Sequence, residues 1–233
     1  MKNLIFDVGG VQVWPRLGNW HIPYRAAEIL GERADTLKSE RFSDAWSQAY
    51  HWLDEGQLVP GIEDERRLRR GWVEEMNGLM GWAMTPAEIT AMTDDFTDDI
   101  DRYGFFDDAL PWLRRWKGVY GLGVLSDAMP SIIDFLNAYG SGPLFEHIVI
   151  STHVGATKPD GRMFRAAIEA FHAQPGDCLF VDDNPANVRA ALAAGMKGVQ
   201  MARDEFMPPR LWDGPVVRNF EELNRLLESG AIF

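Results

Sequence analysis

A single cysteine, Cys178, in 233 residues leaves no partner for an intramolecular disulfide, and such usage fits a reducing compartment. Basic charge is scarce: 23 Lys and Arg stand against 35 Asp and Glu, for a net charge of -12. Non-specific binding of a nucleic-acid polymer needs a basic footprint, which this composition lacks. A small anionic ligand is still admissible, because a metal ion or a local basic pocket overrides the global field. Long apolar runs are missing too. Met1-Lys2 leads into Asn3-Leu4-Ile5-Phe6, which soon meets Asp7 and two glycines. That run is far too short for a signal-peptide core or a membrane span. No repeat and no low-complexity linker interrupts the chain. A cytoplasmic location, with no membrane partner, is the expectation.

What is present is the composition of a packed protein. Hydrophobic residues make up 46% of the chain and aromatics 12%, enough to bury a core. The length admits one core domain and an insertion. The apolar stretches Leu4–Val8, Val119–Leu125, His147–Ile150, Cys178–Val181 and Gly198–Met201 are short and nearly unbroken, as in strands covered on both faces.

Helix signals lie between these stretches. Pro111 falls in the first turn of a segment carrying Leu110, Leu113 and Trp116, where proline is tolerated. Pro130 opens one with Ile133, Leu136 and Tyr139 inward, and Asp160 caps one with Met163, Phe164, Ala167, Ile168 and Phe171. Asn184-Pro185 starts another, carrying Val188, Ala191 and Leu192, that Gly195 stops. Asn219 and Glu222 begin the last, with Leu223, Leu226 and Leu227 inward. The alternation over residues 104–230 predicts a Rossmann-like, doubly wound parallel sheet of the α/β class.

Residues 15–103 break that rhythm and carry helical periods alone. Ala26, Ile29 and Leu30 form one set, and Phe42, Trp46, Ala49 and Leu53 another. Thr85-Pro86-Ala87-Glu88 is a capping box ahead of Ile89, Met92, Phe96 and Ile100. The expectation is an α-helical cap domain over 15–103, inserted into a core domain formed by 1–14 and 104–233.

Ligands of open α/β sheets bind at the carboxyl ends of the strands, and four of the expected strands lead into residues suited to phosphoryl chemistry. They are Asp7-Val8-Gly9-Gly10-Val11, Ser126-Asp127, Lys158-Pro159-Asp160 and Asp182-Asp183-Asn184. Taken singly, each has an ordinary explanation: a turn, a helix cap, a surface tripeptide, a solvated loop. In this order, each at or soon after a strand end, they are hard to explain by coincidence.

The joint pattern resembles the haloacid dehalogenase superfamily over the whole chain. Leu4–Val11 is similar to its first motif, Ser126 to its second, Lys158-Pro159-Asp160 to its third and Cys178–Asp183 to its fourth. The helical insertion resembles the family's mobile cap. The resemblance implies a nucleophilic carboxylate at Asp7 and a magnesium ion held by Asp7, the Gly9 carbonyl and Asp183, with Asp182 acting through water. Hard oxygen ligands of this kind suit Mg²⁺, and a carboxylate attacks phosphorus only when anionic repulsion is neutralised. The phosphate would lie against Gly9, Gly10, Ser126, Asp127 and Lys158. The expected partner is a small phosphorylated metabolite, handled by a monomer or a homodimer.

Two positions depart from the pattern, and one of them, Asp127 where Asn is common, adds a charge near an anion. Phosphatases of the family usually carry a second Asp two residues after the nucleophile, as acid and base, where this chain has Gly9. Losing a proton-transfer group costs about 10²–10⁴-fold in rate, so Gly9→Asp is expected to raise turnover where proton transfer limits it. Three readings follow: a phosphatase in which another group or a water serves, a 2-haloacid dehalogenase, or a weakly active binding or regulatory protein. Dehalogenases of the family need no cation and are similar to one another in replacing the acidic pair with Ser and Asn. Asp182, Asp183 and Asp7 together would be costly without a cation, which favours the phosphatase. Specificity is expected from Trp14, Arg16, Trp20, His21, Arg41, Trp46, Tyr50 and His51, with Arg16 and His21 preferred for substrate contact.

Overall fold

The computed structural model describes residues 1–20, 22–52, 58–203 and 212–233. The chain opens with strand β1 (Asn3–Phe6), turns sharply and forms β2 (Val13–Pro15). Helices α1 (Ala26–Leu30), α2 (Glu40–Ala49), α3 (Ile62–Met80) and α4 (Pro86–Asp98) follow. The remainder alternates: β3 (Tyr103–Phe105), α5 (Ala109–Trp116), β4 (Gly121–Ser126), α6 (Ser131–Ala138) and β5 (His147–Ile150). Then come α7 (Ser151–Val154), α8 (Gly161–Ala170), β6 (Cys178–Asp182) and α9 (Pro185–Ala193). Last are β7 (Lys197–Met201), β8 (Val216–Val217) and α10 (Phe220–Glu228). Among the described residues, no helix is long and apolar enough to cross a membrane.

The predicted doubly wound sheet is present, with six parallel strands in the order β5-β4-β1-β6-β7-β8. Side chains along a strand point alternately to opposite faces, and β1 shows the result. Leu4 and Phe6 join one buried cluster with Leu113, Trp116, Phe135 and Leu223 from α5, α6 and α10. Ile5 joins another with Met163, Phe164 and Ala191 from α8 and α9. Chain order runs from β1 through β4 to β5, then reverses to β6 on the other flank of β1. That reversal opens a crevice at the carboxyl ends of β1 and β6, the usual place for a ligand in such sheets.

The expected caps are in place. Asp160, Asn184 and Asn219 each accept a backbone N–H of the following turn, and Thr85 with Glu88 makes the full reciprocal box. Glu222 reaches the N–H of Arg218, one residue before the cap. The strand expected from Val119 begins at Gly121, because Val119 lies 64% exposed in the turn before it. Leu53 lies outside the described residues.

Besides the short α7 and β8, two features have no counterpart in the sequence reading. The first is α3, the longest described helix, which buries Trp72, Val73, Met76 and Met80 against α1, α2 and α4. Its inward face also carries Glu65 and Arg69. Arg69 pairs with the fully buried Glu65 at 2.7 Å and lies 4.1 Å over the Phe96 ring. The Glu65 carboxylate also accepts the N–H (2.8 Å) and hydroxyl (2.7 Å) of Ser131 at the start of α6, where a helix N-terminus favours negative charge. Arg102 donates to the same Ser131 hydroxyl at 3.3 Å. The helical insertion is thus fastened to the sheet layer by a buried polar cluster. The second is an antiparallel ribbon of β2 and β3, with Val13 opposite Phe105 and Pro15 opposite Tyr103. It forms a sheet of its own at the two ends of the insertion.

Candidate active site

Asp7 follows directly on β1, and the N–H of Asp7 continues the ladder to Val181 O at 2.9 Å. Gln12, fully buried, donates its side-chain amide to the Asp7 carbonyl at 2.9 Å, pinning the turn. Gly10 has a φ of +68°, and a β-carbon there would stand 2.5 Å from the Asp183 carboxylate. Glycine is required on both counts, and its lack of a side chain admits Asp183 close to the turn.

Ser126, the last residue of β4, is buried beside Asp7, and its hydroxyl favours the charged form of that carboxyl. Lys158 is anchored at both ends. Its N–H donates to Asp127 at 2.9 Å, so Asp127 fixes the loop. Its ammonium meets Asp7 at 3.0 Å, Asp182 at 2.7 Å and the Leu125 carbonyl at 3.3 Å. Asp182 ends β6 fully buried. Its other bonds come from the Asn184 N–H (2.7 Å) and the Asn187 amide (3.1 and 3.2 Å). Gln200 on β7 donates to the Asp183 carbonyl at 3.0 Å.

Oxygens of Asp7, Asp182 and Asp183 lie within 4.8 Å of one another. Three carboxylates thus crowd together with one ammonium, which meets two of them, and the acids respond. Burial, with Asp182 adding to it, pushes Asp7 up to about 6 against the pull of Lys158 and the Ser126 hydroxyl. Burial and the charges of Asp7 and Asp182 push Asp183 up to about 8. Burial works to lower the Lys158 pKa, but Asp182, Asp7 and Asp127 outweigh it and the net shift is upward. An all-oxygen donor set left with surplus negative charge fits a hard divalent cation.

A pH-dependent response to magnesium follows. A carboxyl raised above its unfolded value stabilises the fold below that value and loses the stabilisation as pH rises through the folded pKa. The metal-free protein is therefore expected to be less stable at pH 8.5 than at pH 5.5, through Asp7 and Asp183. Magnesium should raise the melting temperature more at pH 8.5, where it displaces fewer protons. Thermal melts with magnesium or chelator at both pH values check this; equal shifts would refute it.

The remaining sequence candidates divide. Trp20 lies against the site, its indole over Gly9 and its ring centroid 5.5 Å from that of Tyr103. Arg16 instead donates to the Tyr103 carbonyl at 3.1 Å and to the Tyr139 hydroxyl at 3.4 Å, and is not brought to Asp7. Trp46 and Tyr50 pack against the insertion's own core, and Arg41 bonds the Leu79 carbonyl. His51 bonds the Gln48 carbonyl at 3.0 Å, and His21 lies outside the described residues. Gln12, Asn187 and Gln200 were not singled out from the sequence. Only their nearness to acidic motifs in the chain could have marked Gln12 and Asn187, and nothing local marked Gln200.

A carboxylate-bearing turn, a hydroxyl, a lysine and an acidic pair meet at the sheet reversal. A family model described as haloacid dehalogenase-like hydrolase matches residues 1–195, and the chain belongs to that family. Phosphoserine phosphatase of Thermus thermophilus is 31% identical over 62% of the chain and 60% of its own length. Enolase-phosphatase E1 of Thioalkalivibrio sulfidiphilus is 27% identical over 82% of the chain and 83% of its own. Among solved structures, the 2-haloacid dehalogenase of Pseudomonas syringae shares the fold, with a TM-score of 0.69 at 19% identity over 98% of the chain and 99% of its own. The chain thus spans about three fifths of the phosphoserine phosphatase.

Proposed function

We propose that the protein is a magnesium-dependent phosphoric monoester hydrolase in which Asp7 is the nucleophile. The observation that carries this reading is the retained acidic pair beside Asp7, three clustered carboxylates of which the single ammonium meets only two. Displacing a halide from carbon gives no use to that surplus negative charge, whereas transferring a phosphoryl group does. The phosphatase names of the relatives point the same way, while the dehalogenase fold likeness concerns the fold alone.

Asp7, Asp183 and the Gly9 carbonyl would hold the magnesium ion, which when bound offsets the charge between carboxylate and phosphate. Ser126 would donate its hydroxyl to a phosphoryl oxygen, and Lys158 would place its ammonium beside another. Asp7 attacks phosphorus and the bond to the leaving oxygen breaks, forming an aspartyl-phosphate. Water then attacks that phosphorus, releasing phosphate and restoring the Asp7 carboxylate. Asp182, saturated by Lys158, Asn187 and Asn184, would orient Lys158. Residues 15–103 would form the cap, hinged at the ribbon of β2 and β3, and its movement over the site would need the Glu65–Ser131 hydrogen bonds to break.

The test is a panel of phosphomonoesters and 2-haloacids, with magnesium and with chelator. Release of phosphate that depends on magnesium supports the proposal. Release of halide without metal, and no phosphate release, overturns it.

A further inference from the structure

Trp20 occupies the space that a side chain at position 9 would need. A β-carbon built there would stand 3.3 Å from Cη2 and 3.4 Å from Cζ2 of the indole. Gly9 is not among the glycines with a left-handed backbone, so its φ does not demand glycine. A β-carbon there would press on the ring, which would have to yield by a few tenths of an ångström. Trp20 is 38% exposed and tilts against Tyr103, so a flat apolar wall, open on one side, stands beside the nucleophile turn. A carboxyl two residues after the nucleophile would face that wall.

This arrangement bears on which esters the site can cleave. In a loose phosphoryl-transfer transition state, charge builds on the leaving oxygen. An alkoxide, about as basic as the conjugate base of water at about 15.7, needs a proton as it leaves. A phenolate, with a pKa of about 10 like that of tyrosine, needs far less help. Among the described side chains around Asp7, Asp183 is taken up by the proposed magnesium ion and three others are held by neighbours. Asp127 accepts the Lys158 N–H, Asp182 is held by Lys158 and Asn187, and Lys158 lies between Asp7 and Asp182. An indole can neither supply a proton at this step nor hold a water as a carboxylate does. It can stack on a flat ring or a conjugated system.

Resting on the phosphatase reading, we infer that the substrate is a phosphate ester of a weakly basic, planar leaving group, an aryl or enol phosphate, seated on Trp20. In the first step the Asp7 oxygen bonds to phosphorus while the phosphorus–oxygen bond to the leaving group breaks. The leaving oxygen departs with the electron pair and is protonated by solvent. In the second step water bonds to phosphorus, its proton passes to solvent and the Asp7 carboxylate is regenerated.

Three esters separate stacking from basicity. Phenyl phosphate offers a flat ring and a phenolate, benzyl phosphate a flat ring and an alkoxide, and cyclohexyl phosphate a puckered ring and an alkoxide. With magnesium, kcat/KM for benzyl phosphate should be about 10²–10⁴-fold below that for phenyl phosphate, at similar KM, and that for cyclohexyl phosphate lower still, with a higher KM. Trp20→Ala should raise KM for the phenyl and benzyl esters by up to about tenfold. The indole corrects the expectation from the sequence that Gly9→Asp raises turnover: alone it should leave the benzyl deficit in place, and with Trp20→Ala it should narrow it.

Equal kcat/KM for benzyl and phenyl esters would overturn the inference, since that ratio covers departure of the leaving group and a proton donor would then be serving. So would equal KM for all three esters, or an unchanged KM in Trp20→Ala. In each of those results phosphate is released and the phosphatase reading stands. Release from none of the three, nor from any ester of the wider panel, would overturn the phosphatase reading itself.

Discussion

Asp7→Asn is expected to cut the turnover of every phosphomonoester that the wild-type protein hydrolyses by at least about 10⁴-fold. Removing the nucleophile removes the covalent route, and in enzymes that depend on one the loss reaches about 10⁶-fold. An amide neither attacks phosphorus nor supplies counter-charge to a cation. The fold should survive, because the amide oxygen can accept from Ser126 and from the Lys158 ammonium, 3.0 Å from Asp7 in the wild type. Without metal, the variant should melt no lower than wild type at pH 8.5, where burial and Asp182 make the Asp7 charge costly. Steady-state kinetics and thermal melts at that pH check both halves. Full activity in Asp7→Asn would refute the mechanism.

Glu65→Ala carries the largest expected effect on stability, about 3–5 kcal/mol. Glu65 is fully buried, and its removal strands the guanidinium of Arg69, which is itself buried. It also takes two hydrogen bonds from Ser131 at the start of α6. Breaking a buried ion pair costs more than the pair contributes, because the survivor's desolvation is no longer compensated. Glu65→Leu with Arg69→Met should therefore lose less than the sum of the two single variants. Urea unfolding of the four proteins measures the coupling. Additive losses would mean that the two residues do not act as a pair.

This cluster also explains why α3 was illegible in the sequence. A helix is recognised by an apolar stripe, and here two positions of the stripe, Glu65 and Arg69, carry opposite charges that only tertiary contacts satisfy. Its N-terminus lacks a side-chain cap as well. The core strands were legible for the opposite reason: β1, β4 and β6 are buried along their whole length, so their composition betrays them. The acidic, serine and lysine motifs could be read because each sits at or soon after the end of such a strand. Their supports could not, since the amides of Gln12, Asn187 and Gln200 gain meaning only from the partner each reaches. Trp20 was a candidate for substrate contact, but its place over Gly9 depends on a turn whose path no local signal gives.

The ribbon of β2 and β3 has a consequence for how the sheet assembles. Parallel pairing of β1 with β4 places Asn3 beside Gly121, a contact of high sequence separation that must close a long loop before any strand pairing is gained. Loop-closure entropy grows only logarithmically, about 0.6 kcal/mol per doubling. Once Val13 meets Phe105 and Pro15 meets Tyr103, residues 16–102 drop out of that loop. What is left to close is the short span on either side of the ribbon. A two-stranded clasp of three residues a side thereby lowers the effective contact order, letting β1 and β4 meet as near neighbours in the chain.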